Sequence, residues 1–222
     1  MYIICNHHKY KYMASFNFKL ENELLPKINQ IKNIRILELG VQKGRSTLKF
    51  LEVCKKNNGK LFSVDISDCS GVTKDPRWTF IHCKDNNFTY IKKIVKDKID
   101  VLFIDTLHEA EHVSEILKGY YNIVKEGGYI FIDDISHIPY LNNSKRNNFY
   151  CEINNRETFN KILDIYTVNQ DNFDLSFSFI SSGLAILKKN NNKSLVKPKK
   201  IVSREFSIKN IIRKLWSNLI KI

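Results

Sequence analysis

The chain has 222 residues, of which 43% are hydrophobic and 27% charged, with a formal net charge of +13. That length and apolar content bury one sizeable core plus an appendage and exclude a mostly disordered chain. No apolar run approaches membrane-spanning length, Tyr2-Ile3-Ile4 is too short for the core of a signal peptide, and the five cysteines, odd in number and without Cys-x-x-Cys or metal-type spacing, read as free thiols of a reducing, cytoplasmic compartment. The protein is expected to be soluble or at most peripheral to a membrane.

Residues 1–18 are aromatic and basic without clear period, and 20–31 reads as a helix, so 1–30 form a lead segment. Apolar runs at 34–38, 60–65, 78–82, 99–105 and 128–133 then alternate with helical periodicity at 46–56, 87–97 and 109–124, with Gly127-Gly128 turning into the fifth run. This rhythm predicts βαβ units and a parallel sheet within a domain spanning 31–189. After the polar stretch 136–155, a helix is expected at 157–166 and a closing β-hairpin at 173–180 and 184–187 through Ser181-Ser182-Gly183. Tyr140, Lys145, Arg146, Phe149 and Tyr150 sit where that stretch would cover an acceptor, or they belong to a disordered loop.

Residues 190–222 form a basic linker, in which Pro198 blocks a helix, followed by an amphipathic helix. From 188 to 222 there are eleven Lys or Arg against Glu205 alone, so the tail carries +10 and the rest of the chain +3. Lys209, Asn210, Arg213, Lys214, Ser217, Asn218 and Lys221 fall on one helical face and Ile208, Ile211, Ile212, Leu215, Trp216, Leu219 and Ile222 on the other. The apolar stripe suits packing on the body or a second copy in a homo-oligomer, an anionic membrane surface reached through 206–222, or a protein partner.

The first strand breaks into a helix through Glu38-Leu39-Gly40-Val41-Gln42-Lys43-Gly44. Gly40 lets the backbone pass close to a ligand and Gly44 lets the next helix start tightly, as at nucleotide-like cofactor sites of α/β proteins. Twenty-one residues beyond Gly44, Asp65 ends the second strand, where a carboxylate accepts both hydroxyls of a ribose. The GxGxxG fingerprint is absent, which disfavours NAD and FAD; a plain strand-helix turn remains the bland alternative. Asp105 and His108 follow the fourth strand, and Asp133 and Asp134 end the fifth. In a parallel sheet these strands are neighbours, so the four residues converge beside the cofactor cleft. Three close carboxylates repel unless a cation neutralises them, and hard oxygen ligands suit a divalent ion of the Mg²⁺ type. Such an ion lowers the pKa of a substrate hydroxyl, and His108 is placed to take the proton. Asp133-Asp134 also suits a solvated strand end or helix cap, and His108 a cap of the helix at Glu109.

The Glu38 to Gly44 pattern resembles motif I of class I S-adenosylmethionine-dependent methyltransferases, over roughly residues 30–188. The resemblance implies a Rossmann-like, seven-stranded, mostly parallel sheet with helices on both faces. It also implies that Glu38 lies near the cofactor amino group, Gly40 and Gly44 beneath the cofactor, Asp65 at its ribose and Asp85 at its adenine. Asp-x-x-His after strand four with Asp-Asp after strand five is similar to the macrolide-sugar O-methyltransferases and the cephalosporin hydroxylase-like group, and more distantly to catechol O-methyltransferase. By that likeness Asp105, Asp133 and Asp134 are metal ligands, His108 is the general base, and the reaction is O-methylation of a sugar or other polyhydroxylated small molecule. The group's Asp-Gly-x-His stands here as Asp105-Thr106-Leu107-His108, without the glycine.

Two other functions remain open. The Asp/Asn-Pro-Pro-aromatic turn of amino-methylating nucleic-acid enzymes and the Pro-Cys of carbon-5 cytosine enzymes are absent. Neither absence reaches RNA ribose 2′-O-methylation, and the basic tail would attract phosphate. The other is a catalytically idle module that binds a membrane or partner. His137 is close enough in sequence to touch substrate or to be an ordinary loop residue, and His7 and His8 read as surface residues.

Overall fold

The computed structural model describes residues 16–137, 149–201 and 207–220. Seven strands form one sheet in the order β3-β2-β1-β4-β5-β7-β6, with β1 Arg35–Leu39, β2 Lys60–Asp65, β3 Trp78–His82, β4 Ile99–Ile104, β5 Val124–Asp133, β6 Phe173–Ser178 and β7 Leu184–Lys189. β1 to β5 pair in parallel, and the β6–β7 hairpin adds antiparallel along β5. The order reverses between β1 and β4, which opens a crevice beyond the carboxyl ends of those strands.

Around the sheet run α1 (Phe16–Lys19), a π-turn (Leu20–Leu24), α2 (Leu25–Ile28), α3 (Arg45–Asn57), α4 (Phe88–Val95), α5 (Ala110–Tyr120), α6 (Phe149–Thr167) and α7 (Ile208–Ile220). Successive side chains of a strand face opposite sides, so β4 splits its apolar run between two cores. Val101 and Phe103 join Leu20, Leu24 and Ile28 and the α3 residues Phe50 and Cys54 on one face. Leu102 and Ile104 meet Ile91, Ile116, Leu117 and Ile162 from α4, α5 and α6 on the other. Phe50 and Phe103 pack edge to face with centroids 5.3 Å apart.

Three departures from the sequence reading have local causes. β5 starts at Val124, because the Gly127-Gly128 irregularity is absorbed inside the strand as a register shift against β4. The preceding helix therefore ends at Tyr120 and closes through a 3-10 turn, Tyr121–Ile123. α6 extends upstream to Phe149; its Asn155 amide donates to the Ser136 carbonyl at 2.9 Å, a tertiary anchor that no periodicity announces. Tyr140, Lys145, Arg146, His7 and His8 lie outside the described residues.

The linker after β7 is pinned to the body: the Val196 N–H donates to Asn169 Oδ1 and the Ile201 N–H to Asp164 Oδ1, both at 2.7 Å. Among the described residues no helix is long and apolar enough to cross a membrane. Cys54, Cys69 and Cys83 are free thiols.

Candidate active site

Register brings the functional positions to one sheet edge. Leu39 pairs with both Val64 and Ile104, and Ile104 with Ile132, so the residues that follow β1, β2, β4 and β5 emerge together. There they border a cavity of about 790 Å³. Gly40, Asp65, Asp85, Asp105, His108, Asp133 and Asp134 all line it, with Phe16, Lys43, Arg45, His112 and Ser182 among the further wall residues.

Gly40 has φ +94°, and a Cβ there would lie 1.8 Å from the Asp105 carbonyl oxygen. The crossing of the β1 and β4 ends leaves no room for any side chain. Gly44, at φ +72°, starts α3 as its N-cap, and a Cβ would strike Val72. It does not line the cavity; its contribution is to aim the helix that closes the turn.

Asp65 holds that turn in shape. Its Oδ2 accepts the Val41 and Gln42 N–H groups at 2.8 and 3.0 Å, and its Oδ1 accepts the Ser67 N–H at 2.8 Å. Burial works against the charge, but the N–H donors of Gln42, Ser67 and Val41 and the Cys69 thiol prevail and hold the carboxyl below its ordinary value. A ribose at Asp65 would meet a carboxylate already fixed in direction.

Glu38 does not reach the cavity wall. It is fully buried, and its Oε2 accepts the Thr47 and Ser63 hydroxyls at 2.7 and 2.6 Å, which ties β1 to α3 and β2. Burial pushes its carboxyl up to about 7 against the hydrogen bonds of Ser46, Ser63 and Thr47. Glu38 lies beneath the turn, tied to α3 and β2, and is not among the residues that border the cavity. Among the described residues its Oε1 has no partner at hydrogen-bond geometry.

Asp85 lines the cavity and faces His112, whose Nε2 lies 2.8 Å from Asp85 Oδ2. Sequence reading missed His112; its one signal was a histidine in the first turn of α5, three residues after the polar loop. Asp85 is further fixed by the Tyr120 hydroxyl, which donates to its carbonyl at 2.6 Å.

At the acidic edge, His108 Nε2 lies 3.1 Å from Asp134 Oδ2 and 3.7 Å from Asp105 Oδ1. Burial, then the neighbouring Asp133 and Asp134 carboxylates, push Asp105 up to about 8, with Lys19 opposing. Asp134 adopts φ +58°, a left-handed conformation that turns the chain sharply after β5. His137 leaves the site: its ring packs 4.7 Å from Phe159 and also against Phe179.

The three carboxylates do not form the expected metal centre. Among the described residues no group of three or more His, Cys, Asp or Glu is arranged to hold a metal ion. The cause is Lys19, whose ammonium is fully buried and bonded to Asp133 Oδ1, and which also donates to Ser182 Oγ at 2.7 Å and the Gly183 carbonyl at 3.3 Å. Asp133 thus has a fixed cation already, and Asp134 faces His108. The metal-ligand assignment of Asp105, Asp133 and Asp134 does not fit this arrangement. An S-adenosylmethionine-sized ligand does fit the cavity, with the glycine turn, Asp65 and Asp85 on its wall.

Residues 37–135 match a family model described as a methyltransferase domain. No match was found among curated proteins. Among solved structures, the chain is similar to MycE methyltransferase from the mycinamycin biosynthetic pathway in complex with Mg and SAH, at 19% identity and TM-score 0.54, covering 87% of this chain and 51% of that one. It is also similar to a Staphylococcus aureus protein assigned as a caffeoyl-CoA O-methyltransferase, at 16% identity and TM-score 0.58, with 79% and 84% covered. A third is SAH-bound Podospora anserina methyltransferase PaMTH1, at 18% identity and TM-score 0.53, with 71% and 72% covered. The chain spans about half the length of the MycE chains it matches. These likenesses share the fold, and the match to the methyltransferase-domain model falls on the strands that build the glycine turn and the acidic edge.

Proposed function

We propose that the chain transfers a methyl group from S-adenosylmethionine to a hydroxyl of a sugar or other polyhydroxylated small molecule. The observation that carries this reading is the single cavity shared by Gly40, Asp65 and Asp85 with Asp105, His108 and Asp134. The neighbour assigned as a caffeoyl-CoA O-methyltransferase supports an oxygen acceptor, and the MycE complex with Mycinamycin VI supports a small-molecule one.

When bound, S-adenosylmethionine supplies an activated methyl group on a sulfonium centre. Gly40 gives the backbone room to lie against that ligand, Asp65 turns a fixed carboxylate toward its ribose, and Asp85, held by His112, marks the adenine end. His108 accepts the acceptor's proton at a ring nitrogen, and Asp134 stabilises and orients the imidazolium that results. Asp105, pushed up to about 8, keeps its own proton at neutral pH and offers it as a hydrogen bond to the acceptor oxygen. The Mg in the MycE complexes belongs to those proteins; here a divalent ion would have to displace Lys19 from Asp133.

The test is methyl transfer from methyl-labelled S-adenosylmethionine to parallel panels of glycans and RNA, alongside calorimetry with the demethylated product. Label on glycan hydroxyls is expected. Label on RNA alone would move the acceptor to ribose, and absence of product binding would remove the cofactor assignment.

A further inference from the structure

We propose that Lys19 is the built-in counter-cation of the acidic edge, standing where a divalent metal would carry the charge, so that methyl transfer needs no added metal ion. The inference rests on the O-methyltransferase reading and sharpens it. Three observations carry it. The three protons of the Lys19 ammonium are matched by three acceptors, Asp133, Ser182 and the Gly183 carbonyl, in a fully buried setting. Such complete pairing offsets the desolvation that burial imposes on the group. Its carboxylate partner lies on the cavity wall beside Asp105 and Asp134, and one turn earlier Phe16 lines the same cavity. The helix also passes into a π-turn at Leu20, immediately after Lys19, a local widening of the kind that re-aims side chains at functional sites. The two acceptors other than Asp133 come from the β6–β7 turn, so Lys19 joins α1 and the β6–β7 hairpin to the end of β5.

Lys19 reaches no substrate atom in this arrangement; it is a positioning residue that acts through Asp133. The test is Mn²⁺ binding followed by electron paramagnetic resonance and calorimetry, on full-length protein without any acceptor, so it stands or falls separately from methyl transfer. Wild-type protein is expected to bind no stoichiometric Mn²⁺, Lys19→Met to gain about one equivalent, and Lys19→Arg to behave as wild type. Stoichiometric Mn²⁺ binding by wild type that Asp134→Asn abolishes would overturn the proposal, as would a folded Lys19→Met that binds none. If Lys19→Met fails to fold, the wild-type measurement alone still decides it. Failure of the demethylated cofactor to bind would instead sink the methyltransferase reading and leave the Mn²⁺ result untouched.

A separate observation carries a second proposal. Ile208, Ile211, Ile212, Leu215, Trp216 and Leu219 of α7 form one stripe at helical spacing, and every one is exposed, between 45% and 79%. The described residues of the body therefore do not bury this stripe. The same helix carries Lys209, Arg213 and Lys214 and no acidic residue. We infer that α7 lies in the surface of an anionic membrane, apolar stripe toward the acyl chains and basic face toward the headgroups. The full-length protein should pellet with phosphatidylglycerol-containing vesicles, weakly with pure phosphatidylcholine, and less as salt rises. Ile211→Glu combined with Leu215→Glu should stay in the supernatant. Equal recovery without vesicles, or a stable dimer that the same pair of substitutions dissolves, would overturn the inference.

Discussion

His108 Nε2 sits 3.1 Å from Asp134 Oδ2, although the two residues follow different strands. The contact exists because β4 and β5 are parallel neighbours that end in register, and because Asp134 turns with φ +58°. His108→Ala is expected to lower kcat by about 10²- to 10⁴-fold, the usual worth of a positioned base. Binding of the demethylated cofactor should be unchanged, since the glycine turn is untouched. Steady-state kinetics with calorimetry separates the two.

Asp105 and Glu38 make stability fall as pH rises. Their carboxyls stand at about 8 and about 7 in the folded protein, against 3.8 and 4.5 ordinarily. The folded state then binds more protons than the unfolded state between about pH 4 and 8, so the stability they contribute is complete below the ordinary values and is lost as pH climbs through the folded ones. Melting temperature should decline from pH 5 to pH 8.5, and Asp105→Asn should flatten that decline. A profile of unchanged slope in the variant would refute the assignment.

Asp65→Ala should loosen the cofactor turn without unfolding the sheet. Three backbone N–H groups lose a charged acceptor. Hydrogen bonds to a charged group contribute roughly 1.5–3 kcal/mol, so the Kd for the demethylated cofactor should rise about tenfold to a hundredfold. Calorimetry reads the affinity, and circular dichroism confirms the fold.

Gly40→Ala should fail more severely. Its φ of +94° alone costs a substituted residue about 1–3 kcal/mol. The added Cβ would also overlap the Asp105 carbonyl, which must move with the end of β4. Urea unfolding should show a lowered midpoint, and cofactor binding should be lost.

Local signals account for what could be read in advance. The apolar runs of β1 to β4 and the Glu38 to Gly44 turn are short-range patterns, and alternation of strand and helix implies parallel neighbours, so Gly40, Asp65, Asp105, His108 and Asp133 were assignable to one edge. The start of α6 was not legible, because Asn155 is anchored by Ser136 across the fold. The partners of Glu38 are not legible for a related reason: its position in the motif is visible, but the Thr47 and Ser63 hydroxyls that bind it meet it only when α3 and β2 pack on β1.

The sequence by itself determined the order of elements, the cofactor turn and the acidic residues at the strand ends, since each depends on side-chain period and turn chemistry within a few residues. Only the tertiary structure decided what those acidic residues do. Lys19 lies 114 positions from Asp133, and no local pattern announces that its ammonium is bonded there. Folding α1 over the sheet edge buries that ammonium beside the carboxylate, and in a buried setting an unpaired charge is so costly that the pairing fixes both partners.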